Sequence, residues 1–187
     1  NLEPEVSQMK SICELAVMDC YYHNVARFDK ENAEGRLWWK KDKHFWIEYS
    51  GIVRLGVDAS LVSMDVSDTQ VTVTIPTAKI LSCKVDSSSL TKDSYIIDKD
   101  SADITADDQI EAFKQAQQKL EETASGDQAL LSSAQQRVES LLSDYITNIG
   151  TAVGKEYTIK WVYLDTNDTH SNNSASSSGQ DDTVDSG

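Results

Sequence analysis

Proline is nearly missing from this chain, with two in 187 residues, and glycine is sparse at eight. Collagen-like, proline-rich and glycine-linker architectures are excluded, and each glycine inside a patterned stretch calls for a local reason. Cysteine is scarce too: Cys13, Cys20 and Cys83 form a small, odd set and no disulfide framework. Cys13 and Cys20 sit on opposite faces if they share a strand and two turns apart if they share a helix, beyond bridging distance either way. A Cys20–Cys83 cross-strand bridge stays open beside the simpler reading of buried reduced thiols. No apolar run reaches the roughly 18 residues that a membrane span needs. No signal peptide is visible, and the start "NLEPEVSQ", without methionine, reads as a mature or processed form.

Positive charge is in deficit. Seventeen Lys and Arg stand against 31 Asp and Glu, a net charge of −14. General nucleic-acid binding needs the opposite balance, as does adhesion of the whole surface to anionic lipid. The three histidines, His23, His44 and His170, form no i,i+4 pair and no HExxH. Cys20 and His23 in "CYYH" supply two ligands, short of a zinc site. No serine lies in a GxSxG elbow, and no glycine-rich loop links a strand to a helix. Asp19, Asp58 and Asp65 are candidates for a carboxylate cluster, although solvated or turn-capping aspartates are commoner. No metal and no cofactor is expected.

What is present is pattern. Residues 4–13 predict a short helix with Pro4 in its first turn and Val6, Met9 and Cys13 on one face. "ELAVMDCYYHNVARF" predicts a long strand with both faces partly covered, because β-branched and aromatic residues fall on both. "DKENAEG" reads as a polar loop. In "WIEYSGIVRLGVDAS", Phe45, Ile47, Tyr49, Val53, Leu55 and Val57 alternate with His44, Trp46, Glu48, Ile52 and Arg54 straight across Gly51. One long strand follows, with Gly51 and Gly56 placed where the sheet bends, bulges or admits another backbone. Asp58 is assigned to the turn that starts "ASL".

"LVSMDV" pairs with "VTVTI", which Pro76 ends; "AKILSCKV" is a further strand and "SYII" a short one. From Thr105 the period becomes helical: Ile110, Phe113, Ala116 or Gln117, Leu120 and Ala124, with Asp107 and Asp108 at the positive end of the dipole. After Gly126 a second helix begins at Asp127, carries Leu130, Leu131, Ala134, Val138, Leu141, Leu142, Tyr145 and Ile149, and stops at Gly150. "EYTIKWVYL" returns to strand. The order predicts an α+β domain over 1–164: a mainly antiparallel sheet, a two-helix hairpin packed on it, and a C-terminal strand returning to the sheet. Residues 165–187, rich in Ser, Asn and Asp, predict a disordered acidic tail.

The stretch "FWIEYSGIVRLGVDASLVSMDVSDTQVTVTIPTAKILSCKVD", with "AQQKL" and "LLSSAQQRVESLL", resembles domain-of-unknown-function family 4230 over roughly residues 10–164. Gly51, Gly56, Asp58 and "IPTAKIL" are its most specific parts. The resemblance implies a bacterial protein, usually membrane-anchored by an N-terminal segment, with no established activity and no catalytic residues to carry over.

"WWKKDKHFW" is the most distinctive local feature. Trp38, Trp39, Lys40, Lys41 and Lys43 are the candidate binding residues, because amphipathic tryptophans beside cations suit a partner or a membrane surface. The competing reading is a hairpin arm whose tryptophans complete the core. Taken together, the expectation is an extracytoplasmic, membrane-tethered domain that binds a protein or another envelope component, and no nucleic acid. The alternative is an envelope hydrolase built from strand-end aspartates and His23 or His44.

Overall fold

A computed structural model describes residues 2–34 and 41–165 and divides their strands between two sheets. In chain order the elements are α1 (Val6–Leu15), β1 (Met18–Glu34), β2 (Lys41–Gly56), β3 (Ser63–Ser67), β4 (Gln70–Pro76), β5 (Lys79–Val85), β6 (Tyr95–Ile97), α2 (Ala106–Ser125), α3 (Gln128–Val153) and β7 (Thr158–Leu164). The acidic tail proposed beyond Asp165 lies outside the described residues.

The fold is α+β, as the element order predicts. The first sheet is antiparallel, with β2 at its centre. β1 runs along one side of β2; β5 pairs with its C-terminal half and β6 with residues 45–47. The predicted alternation across Gly51 holds: Phe45, Ile47, Tyr49, Gly51, Val53 and Leu55 all face the core. "DKENAEG" is not a loop from its start, since β1 continues through it to Glu34. In the second sheet β3 pairs antiparallel with β4. The C-terminal strand does return, but it pairs parallel to β4, with Gln70 beside Thr158 and Pro76 beside Leu164.

Helix α2 opens with a capping box in which Thr105 Oγ1 accepts from Asp108 N–H. It lies on the core face of the first sheet, and its buried line is mostly small: Ala112, Ala116, Leu120 and Ala124. Small side chains let the helix approach the strands closely. That spacing leaves Ile110 exposed, against the expected face. Gly51 now has its reason: Leu120 sits where a Cβ on Gly51 would be, and Lys84 O would be 3.0 Å away. Gly56 faces Leu81 and Val17 side chains instead, beside the register shift where β5 carries one extra residue between Ile80 and Ser82.

Helix α3, capped by Asp127, buries Val138, Leu142 and Ile146 against α1 and the second sheet. The first turns of α3 join α2 over the first core through Leu130, Leu131 and Ala134, and the rest of α3 covers the second. Leu141, expected on the apolar face, is 39% exposed. Gly150 does not end the helix either. The stop is Gly154, in the left-handed conformation at φ 70°, and the chain then turns back over Gly150. Lys155 N–H donates to Gly150 O at 2.9 Å. A Cβ on Gly150 would meet Lys155 O at 2.5 Å.

Candidate functional site

The predicted Trp–Lys patch is the natural starting point. Trp38, Trp39 and Lys40 lie outside the described residues, which rejoin at Lys41 in β2. Lys43 has a different role from the one expected. It falls on the core face of β2, in phase with Phe45 and Ile47, and is 3% exposed. Its Nζ donates to Asp108 Oδ2 at 2.6 Å. Lys30, its cross-strand neighbour, donates to Asp108 Oδ1 at 3.4 Å. Thr105 N–H and Oγ1 also donate to Asp108 Oδ2, at 2.8 and 2.7 Å. Burial alone would push the Asp108 carboxyl up, but these bonds and the Lys43 charge outweigh it and hold the group well below the usual carboxylate range. This buried pair fastens the turn end of the β1–β2 hairpin to the start of α2. The phase of the alternation was the available signal, because an odd-numbered residue ahead of Phe45 belongs inside.

Among the described residues no helix lies on the opposite face of the first sheet. Cross-strand pairs run down it in order: Asp19 with Arg54, Tyr21 with Ile52, His23 with Ser50, Val25 with Glu48, Arg27 with Trp46, and Asp29 with His44. Ile96 of β6 and Lys84 of β5 extend the Trp46 and Ile52 rows. The charges are matched within the face. Arg54 clasps Asp19 with two bonds, at 2.7 and 2.8 Å, and holds that carboxyl below its ordinary range. Asp29 accepts from Arg27 at 2.9 Å and meets His44 Nδ1 at 2.6 Å. Arg27 also stands 5.6 Å from the Trp46 ring centroid. Between these ions lie large apolar groups in the open: Tyr21 is 79% exposed, Ile96 54%, Val25 53%, and Ile52 and Trp46 are uncovered too. The sequence predicts cover on both faces of β1, and the described residues cover one.

The middle of this face holds His23, one of the two histidines considered for hydrolysis, beside Ser50 and Glu48. His23 Nδ1 lies 3.0 Å from Ser50 Oγ and His23 Nε2 lies 2.7 Å from Glu48 Oε1. Beside them is a recess of about 200 Å³, walled by Ser89, Thr91, Asp93 and Ser94 of the loop that bridges β5 and β6. That loop completes the ladder: Ser50 N–H donates to Ser89 Oγ at 3.3 Å, and Asp86 N–H donates to Ser50 O at 2.8 Å.

The other expected constellations do not assemble. Asp58 caps its turn as predicted, accepting from Ser60 N–H at 3.1 Å and Ser60 Oγ at 2.6 Å. Asp19 is committed to Arg54, and Asp65 is on β3 of the other sheet. Cys20 and Cys83 flank Val53 from opposite sides, two strand spacings or about 10 Å apart, so they cannot bridge. All three cysteines are free. Among the described residues no group of three or more His, Cys, Asp or Glu gathers around a possible ion. A larger cleft, about 790 Å³, opens where β5, β7, α2 and α3 meet, with Gln135, Tyr163 and Lys79 in its wall.

A family model described as a protein of unknown function (DUF4230) matches residues 7–157. No curated protein and no solved structure matches the chain.

Proposed function

The chain belongs to the DUF4230 family, and from that premise we propose that it is a non-enzymatic binding or assembly domain of the bacterial cell envelope, extracytoplasmic and membrane-tethered, acting through the uncovered face of its first sheet. One observation carries the reading: Tyr21, Val25, Trp46, Ile52 and Ile96 are set together on a face that the described residues leave in water. Apolar side chains grouped in this way mark an interaction surface rather than chance exposure. The segment with Trp38, Trp39, Lys40 and Lys41 joins the same two strands and is assigned to the same contact; Lys43 is not, since its ammonium is held by Asp108. Among the described residues no helix is long and apolar enough to cross a membrane.

Co-sedimentation with washed bacterial envelopes tests the contact. The parent protein is expected in the pellet, and a Trp46→Ser, Ile52→Ser variant in the supernatant with an unchanged circular dichroism spectrum. Equal sedimentation of the two, or none by the parent, removes this face from the function. Protease added outside spheroplasts should cut the native protein; protection would move it to the cytoplasmic side.

The envelope-hydrolase reading has the His23–Ser50–Glu48 contacts behind it. Against it, Ser50 N–H is already given to Ser89 Oγ, so it is not aimed at a developing oxyanion. Hydrolysis of a p-nitrophenyl ester that disappears on Ser50→Ala would favour the enzyme; a rate unchanged from buffer would remove it.

A further inference from the structure

We infer that two copies of this chain associate through the free edge of β1, their β1 strands paired antiparallel about a two-fold axis at His23, so that the two first sheets join into one. The edge is a different surface from the open face, which this pairing leaves uncovered.

Among the described residues β1 is an outermost strand, and the direction of its outer backbone groups can be read from its neighbour. Ser50, opposite His23, gives its N–H to Ser89 Oγ and takes Asp86 N–H on its carbonyl, both on the side away from β1. His44, opposite Asp29, likewise gives its N–H to Ser101 Oγ and takes Asp98 N–H on its carbonyl. In an antiparallel ladder, a residue that bonds away from its partner leaves that partner bonding away as well. By the period of two, Asp19, Tyr21, His23, Val25, Arg27 and Asp29 all turn N–H and C=O outward. Among the described residues these groups have no hydrogen-bond partner. Free edges are ordinarily blunted by proline, by a bulge or by a covering segment. From Met18 to Phe28 there is no proline or glycine, and the register with β2 is unbroken. A groove of about 460 Å³ opens between residues 25–27 and Gln115, Gln118 and Glu122 of α2, which leaves room for a further strand.

The order of side chains along this edge selects the partner. The outward-bonding residues run acid, aromatic, histidine, aliphatic, base: Asp19, Tyr21, His23, Val25, Arg27. Antiparallel pairing with a second copy reverses that order. With the axis at His23, Asp19 lies opposite Arg27 of its mate, Tyr21 opposite Val25, and His23 opposite His23, and the two-fold repeats each contact. Asp19 then stands between its own Arg54 and the Arg27 of its mate, and that Arg27 stands between a carboxylate and its own Trp46. On the core side Cys20 meets Ala26 and Tyr22 meets Asn24. Moving the axis by one residue spoils the match: at Asn24 it sets Asp19 on Asp29, and at Tyr22 it sets Asp19 on Val25. About ten backbone hydrogen bonds close over roughly 30 Å of strand. An unrelated extended peptide could use the same backbone groups, but it gains the charge match at both ends only by repeating this pattern.

Sedimentation equilibrium of the purified chain over a wide concentration range tests this. A monomer–dimer equilibrium is expected. Val25→Pro should weaken it about tenfold or more, because the N–H it removes bonds only across the axis; the circular dichroism spectrum of the monomer should not change. Arg27→Asp, which sets Asp19 against a like charge, should weaken it as well without touching the backbone. Amide exchange locates the contact in the parent chain. The amides of Tyr21, His23, Val25 and Arg27 should slow as concentration rises, whereas those of Tyr22 and Asn24, bonded to β2, should be slow throughout. A monomer at every concentration overturns the inference, as does a dimer in which those four amides stay fast. The Trp46→Ser, Ile52→Ser variant should still dimerise; its failure to do so would move the association to the open face and overturn the edge. Envelope sedimentation reads the face and amide exchange reads the edge, so the two readings fail separately.

Discussion

Asp108 is a carboxylate with 1% of its surface exposed, and it stays charged because two lysines and a threonine meet it. Removing one partner of such a pair leaves a buried charge behind, so Asp108→Asn should cost about 3–5 kcal/mol in a urea titration at pH 7. Its acid dependence has a definite sign. The folded carboxyl titrates below the unfolded value of about 3.9, so its contribution is complete above that value and is lost as pH falls through the folded one. The gap between parent and variant should therefore be full at pH 6 and shrink below pH 4. Gly51 makes a similarly local demand. A methyl there meets Leu120 and a backbone carbonyl in a filled core, so Gly51→Ala should lose about 1–3 kcal/mol. Gly56→Ala meets the side-chain ends of Leu81 and Val17 first, with backbone only at ordinary contact distance, and should lose less. Calorimetry on the two variants orders them; equal losses would mean that the Leu120 contact is not what keeps residue 51 bare.

At the scale of elements, strands were more legible than helices. A period of two survives single exceptions, so β2 was readable through Gly51, and the β3–β4 hairpin was readable from Val62, Met64, Val66, Val71, Val73 and Ile75. Helical faces were read by size, and size misled. Ile110 and Leu141 looked like core because they are large, yet the close-packed lines run through Ala112, Ala116 and Ala124 and through Val138, Leu142 and Ile146. Denaturant titration should show Leu142→Ala costing about 2–5 kcal/mol and Leu141→Ala much less; the reverse order would mean that the α3 face is misassigned. The site was less legible than the fold. The apolar residues on both faces of β1 were visible in the sequence, but which face the chain leaves bare depends on where α2 docks, 80 residues later. Lys43 was misread because its place in a lysine run was weighed above its place in the strand alternation.

As a whole, the molecule consists of two half-cores that share few residues. One gathers around Phe28, Phe45 and Tyr49 beneath α2 and the first turns of α3, and the other around Val71, Val73 and Ile75 beneath α1 and the rest of α3. Ala78 touches both, and Gln135 Oε1 accepts its N–H at 2.7 Å, so one helix side chain pins the crossing from the first sheet to the second. Two-sheet division is not written in any local period, because it depends on which strands find each other. The element order predicted a returning strand; its partner β4 and its parallel sense are matters of long-range pairing.

That pairing orders events in time. Synthesis runs from the N-terminus, and at about 5–20 residues per second the ribosome needs roughly 5–20 s to pass from β4 to β7. Until then one side of β4 has no mate, and Val71, Val73 and Ile75 wait in an unfinished sheet. The first sheet and α2 are complete in sequence well before this, so a nascent chain should hold one finished half and one open edge. A chain released before Thr158 stays in that state. It should aggregate through β4 or recruit a strand from elsewhere, and a released chain ending at residue 157 should be retained by a chaperone that a released chain ending at residue 165 escapes.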